Sequence, residues 1–205
     1  MHRASKNNFQ YHALTPDRWG DLESLFGEPG ACGGCWCMWW RLKRSEFEKQ
    51  KGDENKAAFK AVVNSGDAPG VLAYAGGRPI GWCAVAPRET YSALERSRVL
   101  KRLDDKPVWS ILCFNIRVGY RRRGVAAALL DGVVDFARRS GAPGVEAYPI
   151  DPEGGRVDVS FGYVGLTPMF EKVGFRRVLE TAAHSDRRPR WLMRLDFDGT
   201  RPLRS

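Results

Sequence analysis

The residues best suited to bind a charged ligand form a short basic loop, Arg121-Arg122-Arg123-Gly124-Val125-Ala126. The segment before it, Val108 to Val118, is rich in β-branched and aromatic residues, which predicts a buried strand. The segment after it has apolar residues at helical spacing and ends at Gly141 and Pro143, which predicts an amphipathic helix. Unpaired backbone amides and the positive end of the helix dipole meet at such a loop, and Gly124 lets a ligand approach the backbone. The spacing therefore predicts a phosphate-binding site.

A second group of reactive side chains is the cysteine cluster Cys32, Cys35 and Cys37, which is interleaved with tryptophans. These thiols could hold zinc with a fourth ligand from elsewhere, could form a redox pair, or could pack as small apolar groups. A structural zinc site usually takes four ligands in two separated pairs, so packing is the favoured interpretation and no metal is predicted.

Catalytic triads are disfavoured, because the three histidines of the chain, His2, His12 and His184, lie near its ends. The elements that must position the loop alternate between helices and strands. A helix is predicted from Thr15-Pro16 to Gly27 and another from Ser45. The further predicted segments are a helical stretch through 57–63, a hairpin at 71–85, an irregular stretch at 88–107, and strands at 145–150 and 190–195.

Composition limits the class of protein. With 205 residues and 43% apolar content, the chain is expected to form one globular domain over 1–205, with flexible tails at 1–8 and 197–205. The sequence shows neither a membrane-length apolar run nor a secretory signal, and five cysteines do not suggest a disulfide scaffold, so a cytoplasmic location is expected. The net charge of +9 could attract nucleic acid, but the arginines are dispersed among acidic residues and no nucleic-acid-binding motif accompanies them.

The basic loop resembles the Arg/Gln-x-x-Gly-x-Gly/Ala signature of the GNAT superfamily of coenzyme A-dependent N-acyltransferases. Two more segments resemble that family in the same order: the hairpin at 71–85, and Phe170-Glu171-Lys172-Val173-Gly174-Phe175, which is similar to the family's Tyr-Glu-Lys-x-Gly-Phe. Walker and Rossmann glycine motifs do not occur. The resemblance implies an α/β (α+β) fold with a mixed, centrally splayed β-sheet flanked by helices, and a possible homodimer.

The same resemblance implies the function. A member of this family moves an acetyl group from acetyl-CoA to a primary amine, here of a small-molecule acceptor, by direct attack on the thioester, and a strand amide stabilises the oxyanion. A catalytically weak acyl-CoA-binding or sensory module is the alternative. The cofactor contacts implied are the end of the strand, the loop and one aromatic residue: Ile116, Arg117, Val118, Arg121, Arg122, Arg123, Gly124, Val125, Ala126 and Phe170.

The proton-transfer groups depart from the family pattern. The family's frequent general acid is the Tyr of Tyr-Glu-Lys-x-Gly-Phe, which is Phe170 here, so Tyr163 or solvent would have to protonate the leaving thiolate. The signature strand also lacks the Glu or His base that several relatives place there. Glu146 is the expected base, with Asp151 and Glu89 as alternatives.

The acceptor site is expected between the first two helices, as the resemblance implies. Tryptophans there and on the hairpin could line a pocket for an aromatic or apolar amine, or could simply be core residues. Arg41 could bind a substrate carboxylate bidentately or form an ordinary surface pair. The expected substrate-binding residues are Trp36, Trp39, Trp40, Arg41 and Trp82.

Overall fold

The computed structural model describes residues 9–158 and 162–197. Of the tails expected at 1–8 and 197–205, residues 1–8 and 198–205 lie outside the described residues. Phe197 does not belong to a tail. Its amide donates to the carbonyl of Pro143 (3.0 Å), the Arg138 guanidinium lies 4.6 Å from its ring centre, and its side chain is buried in the core.

In this described part of the chain, seven strands form one mixed sheet in the order β1-β2-β3-β4-β5-β7-β6. The pairings are antiparallel except for β4 with β5, which are parallel. The strands are β1 (Gln10–Ala13), β2 (Gly70–Ala75), β3 (Arg78–Pro87), β4 (Trp109–Ile116), β5 (Gly144–Ala147), β6 (Arg176–Ser185) and β7 (Arg188–Asp196).

Within the described ranges six helices accompany the sheet, together with single 3-10 turns at Pro16–Arg18, Arg88–Thr90, Val118–Tyr120 and Gly162–Val164. The helices are α1 (Trp19–Phe26), α2 (Arg44–Lys49), α3 (Asp53–Asn64), α4 (Ser92–Glu95), α5 (Val125–Arg139) and α6 (Thr167–Val173). None of the helices in 9–158 and 162–197 is both long and apolar enough to cross a membrane.

The sheet divides the core into two faces, because successive strand side chains point to opposite sides. Val71, Ala73 and Val85 pack beneath α5 on one face. Leu72 and Trp82 pack against α1 and α3 on the other face. Further along this second face, a smaller cluster joins β4, α4 and β7: Ala86, Tyr91, Leu94, Leu100, Leu112, Tyr148 and Leu192.

The sheet splays between β4 and β5. Trp109–Ile111 pairs with Val145–Ala147, where β5 ends, whereas β4 continues to Ile116. Opposite β3, Ala84 pairs with Cys113 and Val85 with Ile111, so Leu112 is the extra residue of a β-bulge. The second half of β4 thus has an edge that β5 does not cover, and the predicted splayed mixed sheet is confirmed.

The main predicted elements agree with the structure, and the boundaries differ locally. α1 ends before Gly27, which has a φ of 67°, and the strand before the basic loop is β4. The helix expected from Ser45 begins at Arg44, where the Glu46 carboxylate accepts from the Lys43 amide (3.2 Å). The strand expected at 145–150 ends at Ala147, and the stretch 88–107 contains α4.

Candidate active site

The basic loop is a concave arrangement of backbone amides at the start of α5. Arg122 and Gly124 adopt left-handed conformations, with φ of 60° and 79°, on either side of Arg123. Such alternation turns successive N–H groups toward one point and creates an anion-binding nest. The carbonyl of Gly124 accepts from Ala128 (3.0 Å) as the first bond of α5, so the amides before Ala128 point out of the helix end. The space beside the Gly124 Cα is open.

Close packing fixes the position of this loop against the sheet. Val125 is buried, and a Cβ on Gly81 of β3 would lie 3.0 Å from Ile116 and 3.3 Å from Val125. Gly81 therefore lets the start of α5 lie directly on β3 and β4. The Arg121 Nε donates to the carbonyl of Ile116 (3.0 Å), which ties the loop to the end of β4.

The predicted cofactor residues occupy different environments. The side chains of Arg121, Arg122 and Arg123 are exposed around the nest. Arg117 turns away from it and donates to the carbonyls of Pro79 (3.1 Å) and Ser24 (2.9 Å).

The remaining cofactor residues divide between surface and core. Val118 is 75% exposed and Ala126 is half-buried beside the nest. Phe170 is fully buried, with its ring centre 6.1 Å from Phe114 and 5.1 Å from Phe175. In this structure Phe170 is a core residue beneath the splay and does not line an open surface.

Tyr163 lies on the second face of the sheet, in the turn Gly162–Val164, which packs against β4. Its side chain is 37% exposed. Burial of the phenol raises the pKa of Tyr163, and the charge of Arg190 opposes that effect. Cys113 of β4 and the thiols of Cys32 and Cys35 also act on this group electrostatically. Tyr163 thus lies beside β4, on the face that also carries the loop with Cys32, Cys35 and Cys37, here called the cysteine segment.

The cysteine segment forms a loop between α1 and α2 and contacts the sheet through one thiol. The Trp82 indole N–H donates to Cys37 Sγ (3.0 Å), and the Cys113 thiol forms a hydrogen bond to the same sulfur. The bond from Cys113, then that from Trp82 and the charge of Arg41, lower the pKa of Cys37. Burial raises the pKa of Cys35 to about 11.

All five cysteines are free thiols, and the three of the segment do not share one environment. Cys32 is exposed, whereas Cys35 and Cys37 pack beside the aromatic core. Within residues 9–158 and 162–197, no group of three or more His, Cys, Asp or Glu side chains is placed to hold a metal ion.

The predicted acceptor residues separate into core and surface. Trp36 and Trp82 are buried, and Trp36 stacks on Trp19 with ring centres 6.0 Å apart. Trp39 is exposed and packs outward, with its ring under the Arg44 guanidinium (4.0 Å). None of these three rings is arranged as the wall of an open pocket in the described structure.

Trp40 and Arg41 are the two predicted acceptor residues that remain close to the second-face cluster. Trp40 packs against that cluster, and its indole N–H is buried without a hydrogen-bond partner among the described residues. The Arg41 guanidinium lies 4.6 Å from the Tyr91 ring centre, and its Nε likewise has no partner in that part of the chain.

Glu146, the expected base, lies inside a buried ion-pair network. Its Oε1 accepts from Arg88 (2.7 Å), Ser110 (3.1 Å) and Tyr148 (2.5 Å), and its Oε2 accepts from Arg194 (3.3 Å). The residue is 0% exposed. The structure therefore does not bring Glu146 together with Tyr163 at an accessible surface. Asp151 is also engaged, in an ion pair with Arg177.

Two residues near Tyr163 were not predicted as site residues. The sequence predicts Cys113 within a buried strand, and the bulge at Leu112 turns its side chain toward the cysteine segment. Arg190 was assigned to a terminal strand, and its proximity to Tyr163 comes from the pairing of β7 beyond β5. Neither placement has a local signal in the sequence, because both depend on strand register.

Comparisons with known proteins agree with this architecture. The family model described as Acetyltransferase (GNAT) family matches residues 36–152. A GNAT-family acetyltransferase from Streptococcus pneumoniae is 12% identical, with a TM-score of 0.55 over 93% of this chain and 100% of that chain. One from Streptococcus agalactiae is 15% identical, with a TM-score of 0.54 over 93% and 96%. No curated protein matches the chain.

A third solved structure of similar fold contains coenzyme A. The NatC complex bound to Gag peptide and CoA is 13% identical, with a TM-score of 0.52 over 92% of this chain and 98% of that chain. The family uses acetyl-CoA, and the nest beside Gly124 has the open space and the positive surroundings that a pyrophosphate requires. Since the family model spans more than half of the sequence and the fold agrees, the chain belongs to the GNAT acetyltransferase family.

Proposed function

We propose that this protein is an N-acetyltransferase that moves an acetyl group from acetyl-CoA to the primary amine of a small molecule. The observation that carries the proposal is the position of Tyr163. The turn Gly162–Val164 holds this phenol against β4, beside Cys113 and next to the bulge, where the strand edge is not covered by β5. A proton donor thus lies beside the strand whose second half β5 does not pair.

The residues that would hold the donor are the loop amides and the exposed arginines. The amides at the start of α5 would bind the pyrophosphate, and Arg121, Arg122 and Arg123 would add positive charge around it. The uncovered edge of β4, from Leu112 to Ile116, offers backbone groups to an amide-containing arm. Acetyl-CoA supplies the acyl group as a thioester.

Tyr163 is the group that we assign to proton donation at the leaving sulfur. Because burial raises its pKa above the usual value near 10, the phenol stays protonated throughout the neutral range. We therefore assign to Tyr163 the role of general acid, which in relatives often belongs to a tyrosine at the position of Phe170.

The amine must lose its proton before it can attack. Glu146 is neutralised by Arg88 and Arg194 inside the protein, so we assign it to the stability of the fold. We therefore assign the role of proton acceptor to water at the partly exposed surface beside Tyr163. Turnover should then rise with pH, because the fraction of unprotonated amine increases.

Turnover with a panel of amines tests the proposal. The protein is mixed with acetyl-CoA and each amine, and free thiol and acetylated product are both measured. We expect product with at least one amine at more than the rate without protein. Saturable acetyl-CoA binding with no product from any amine would contradict the enzyme and favour an acyl-CoA-binding module.

A further inference from the structure

Among the described residues, three arginines are buried on the second face of the sheet, and two of them are neutralised. Arg88 pairs with Glu146 (2.7 Å) and Glu95 (2.7 Å). Arg194 pairs with Glu146 (3.3 Å) and with Asp104. The third is Arg190.

Arg190 is 5% exposed and has no acidic partner among the described residues. Its Nε donates to the carbonyl of Tyr148 (2.8 Å), whereas its Nη2 is buried and has no hydrogen-bond partner within residues 9–158 and 162–197. The charges that act on it come from the Tyr163 and Tyr148 phenols, which are neutral at physiological pH.

A buried cation without an anion costs a fold considerable stability, because a hydrogen bond to a neutral carbonyl replaces only part of the hydration that the charge has lost. Unsatisfied buried donors are rare in native proteins, so each one calls for an explanation. Arginine cannot relieve the cost by losing its proton near neutral pH. An anionic ligand that binds Arg190 would remove this cost.

The position of Arg190 indicates which ligand that is. Ile150 forms β-bridges with both Arg190 and Leu166, and its amide donates to the carbonyl of Gly165 (3.1 Å), so Arg190 lies beside the segment that carries Tyr163. The electrostatic effects of Arg190 and Cys113 on Tyr163 agree with this placement. This is the face opposite α5 and its basic loop, so the anion that meets Arg190 is not the pyrophosphate held by the loop. Tyr163 would meet the thioester sulfur, and the acceptor amine must reach the carbonyl of that same thioester. We therefore assign the anion at Arg190 to the acceptor.

We propose that Arg190 binds a carboxylate of the acceptor, so that the preferred substrate is a primary amine that also carries a carboxylate, as an amino acid does. This inference rests on the proposed function. A single unneutralised guanidinium matches a monoanion, and the planar nitrogens of arginine suit a planar carboxylate. Arg190 is thus a specificity-determining residue that orients the amine toward the uncovered edge of β4.

Matched ligand pairs test this proposal. Each of the common amino acids is compared with the amine obtained by removing its carboxylate, first as a substrate with acetyl-CoA. We expect kcat/KM to favour the carboxylated member of the best pair by roughly 10- to 100-fold, the usual value of a hydrogen bond to a charged group. A preference for the decarboxylated amines in wild-type protein would overturn the proposal without any variant.

Substitution of Arg190 assigns the preference to this residue. Arg190→Met should reduce the ratio within the pair to about one, and Arg190→Lys should retain part of it, since the charge remains and the planar fork is lost. Arg187→Met is the matched control, because Arg187 is exposed in the turn between β6 and β7. An unchanged ratio in folded Arg190→Met would overturn the assignment.

A binding measurement separates this inference from the proposed function. Calorimetric titration with the N-acetylated amino acids and the N-acetylated decarboxylated amines, in the presence of coenzyme A, needs no turnover. Tighter binding of the carboxylated product that is lost in Arg190→Met supports the carboxylate site even if no amine is acetylated. Equal binding of both products to wild-type protein would overturn the site even if the protein is an active acetyltransferase.

Discussion

The two faces of the sheet handle positive charge in opposite ways. On the α5 face, Arg121, Arg122 and Arg123 are exposed around a nest of backbone amides. On the other face, Arg88 and Arg194 are buried and share Glu146, whereas Arg190 is buried with no acidic partner in the described part of the chain. On our proposal, the exposed arginines attract a highly charged ligand from solvent. The buried face instead selects a ligand whose carboxylate can pair with the Arg190 guanidinium.

The two faces would also bind their ligands through different atoms: backbone amides on the α5 face and a guanidinium on the other face. Backbone amides and exposed cations tolerate side-chain changes, because the conformation of the loop and its field remain. A buried guanidinium depends on the exact partner that it meets. Substitutions should therefore produce different readouts on the two faces.

The largest expected effect is that of Gly124→Glu on acetyl-CoA affinity. The variant places a carboxylate in the open space beside the nest, and like charges would repel the pyrophosphate. We expect the affinity to fall by roughly 1000-fold, several kcal/mol by the usual conversion, measured by calorimetry.

Gly77→Glu is the matched control for that variant. Gly77 has a φ of 76°, close to the 79° of Gly124, and an equally open Cβ position in the β2–β3 turn. Both variants should carry the same backbone strain, so an equal loss of affinity in both would contradict the anion-binding role of the loop.

The second prediction contrasts the paired and unpaired arginines. Glu146→Gln leaves Arg88 and Arg194 buried without their shared anion, and the free energy of unfolding should fall by about 3–5 kcal/mol. Arg190→Met removes a charge that has no acidic partner among the described residues, so the free energy of unfolding of this variant should stay level or increase. Urea unfolding of both variants measures these changes. A larger loss of unfolding free energy in Arg190→Met than in Glu146→Gln would mean that Arg190 is a structural residue.

A smaller effect is expected for Tyr163→Phe on the turnover number. Loss of a general acid should lower kcat by about 100-fold, the lower end of the usual range, with little change in KM. In wild-type protein kcat should decline only above pH 10, as the phenol with its raised pKa loses the proton. That alkaline decline should vanish in Tyr163→Phe, and an unaltered pH profile would reject the assignment.

Much of the cofactor side could be predicted from the sequence, because its elements are contiguous. The strand, loop and helix from β4 to α5 follow one another, and their patterns are local. Short β1 was missed, since four residues of mixed burial give little signal. The sequence also does not decide whether the tryptophans of the cysteine segment are core or pocket residues, because tryptophan is common in both environments.

The acceptor side could not be predicted in the same way. Arg190, Tyr163 and Cys113 come from segments far apart in the chain, and the bulge at Leu112 and the crossover to β7 bring them together. Glu146 has the alternation of a strand residue, but its burial follows from Arg88 and Arg194, which only the tertiary fold supplies. Strand pairing between distant segments therefore determines which charged residues are buried in ion pairs and which remain available to a ligand.

The most direct test of the central claim is calorimetric titration of the wild-type protein with acetyl-CoA, with free coenzyme A as the comparison ligand. The structure predicts saturable binding of both at micromolar concentration, weakened by salt because the loop acts through charge. No heat of binding at millimolar ligand would contradict a functional coenzyme A site, and with it the proposed acetyltransferase.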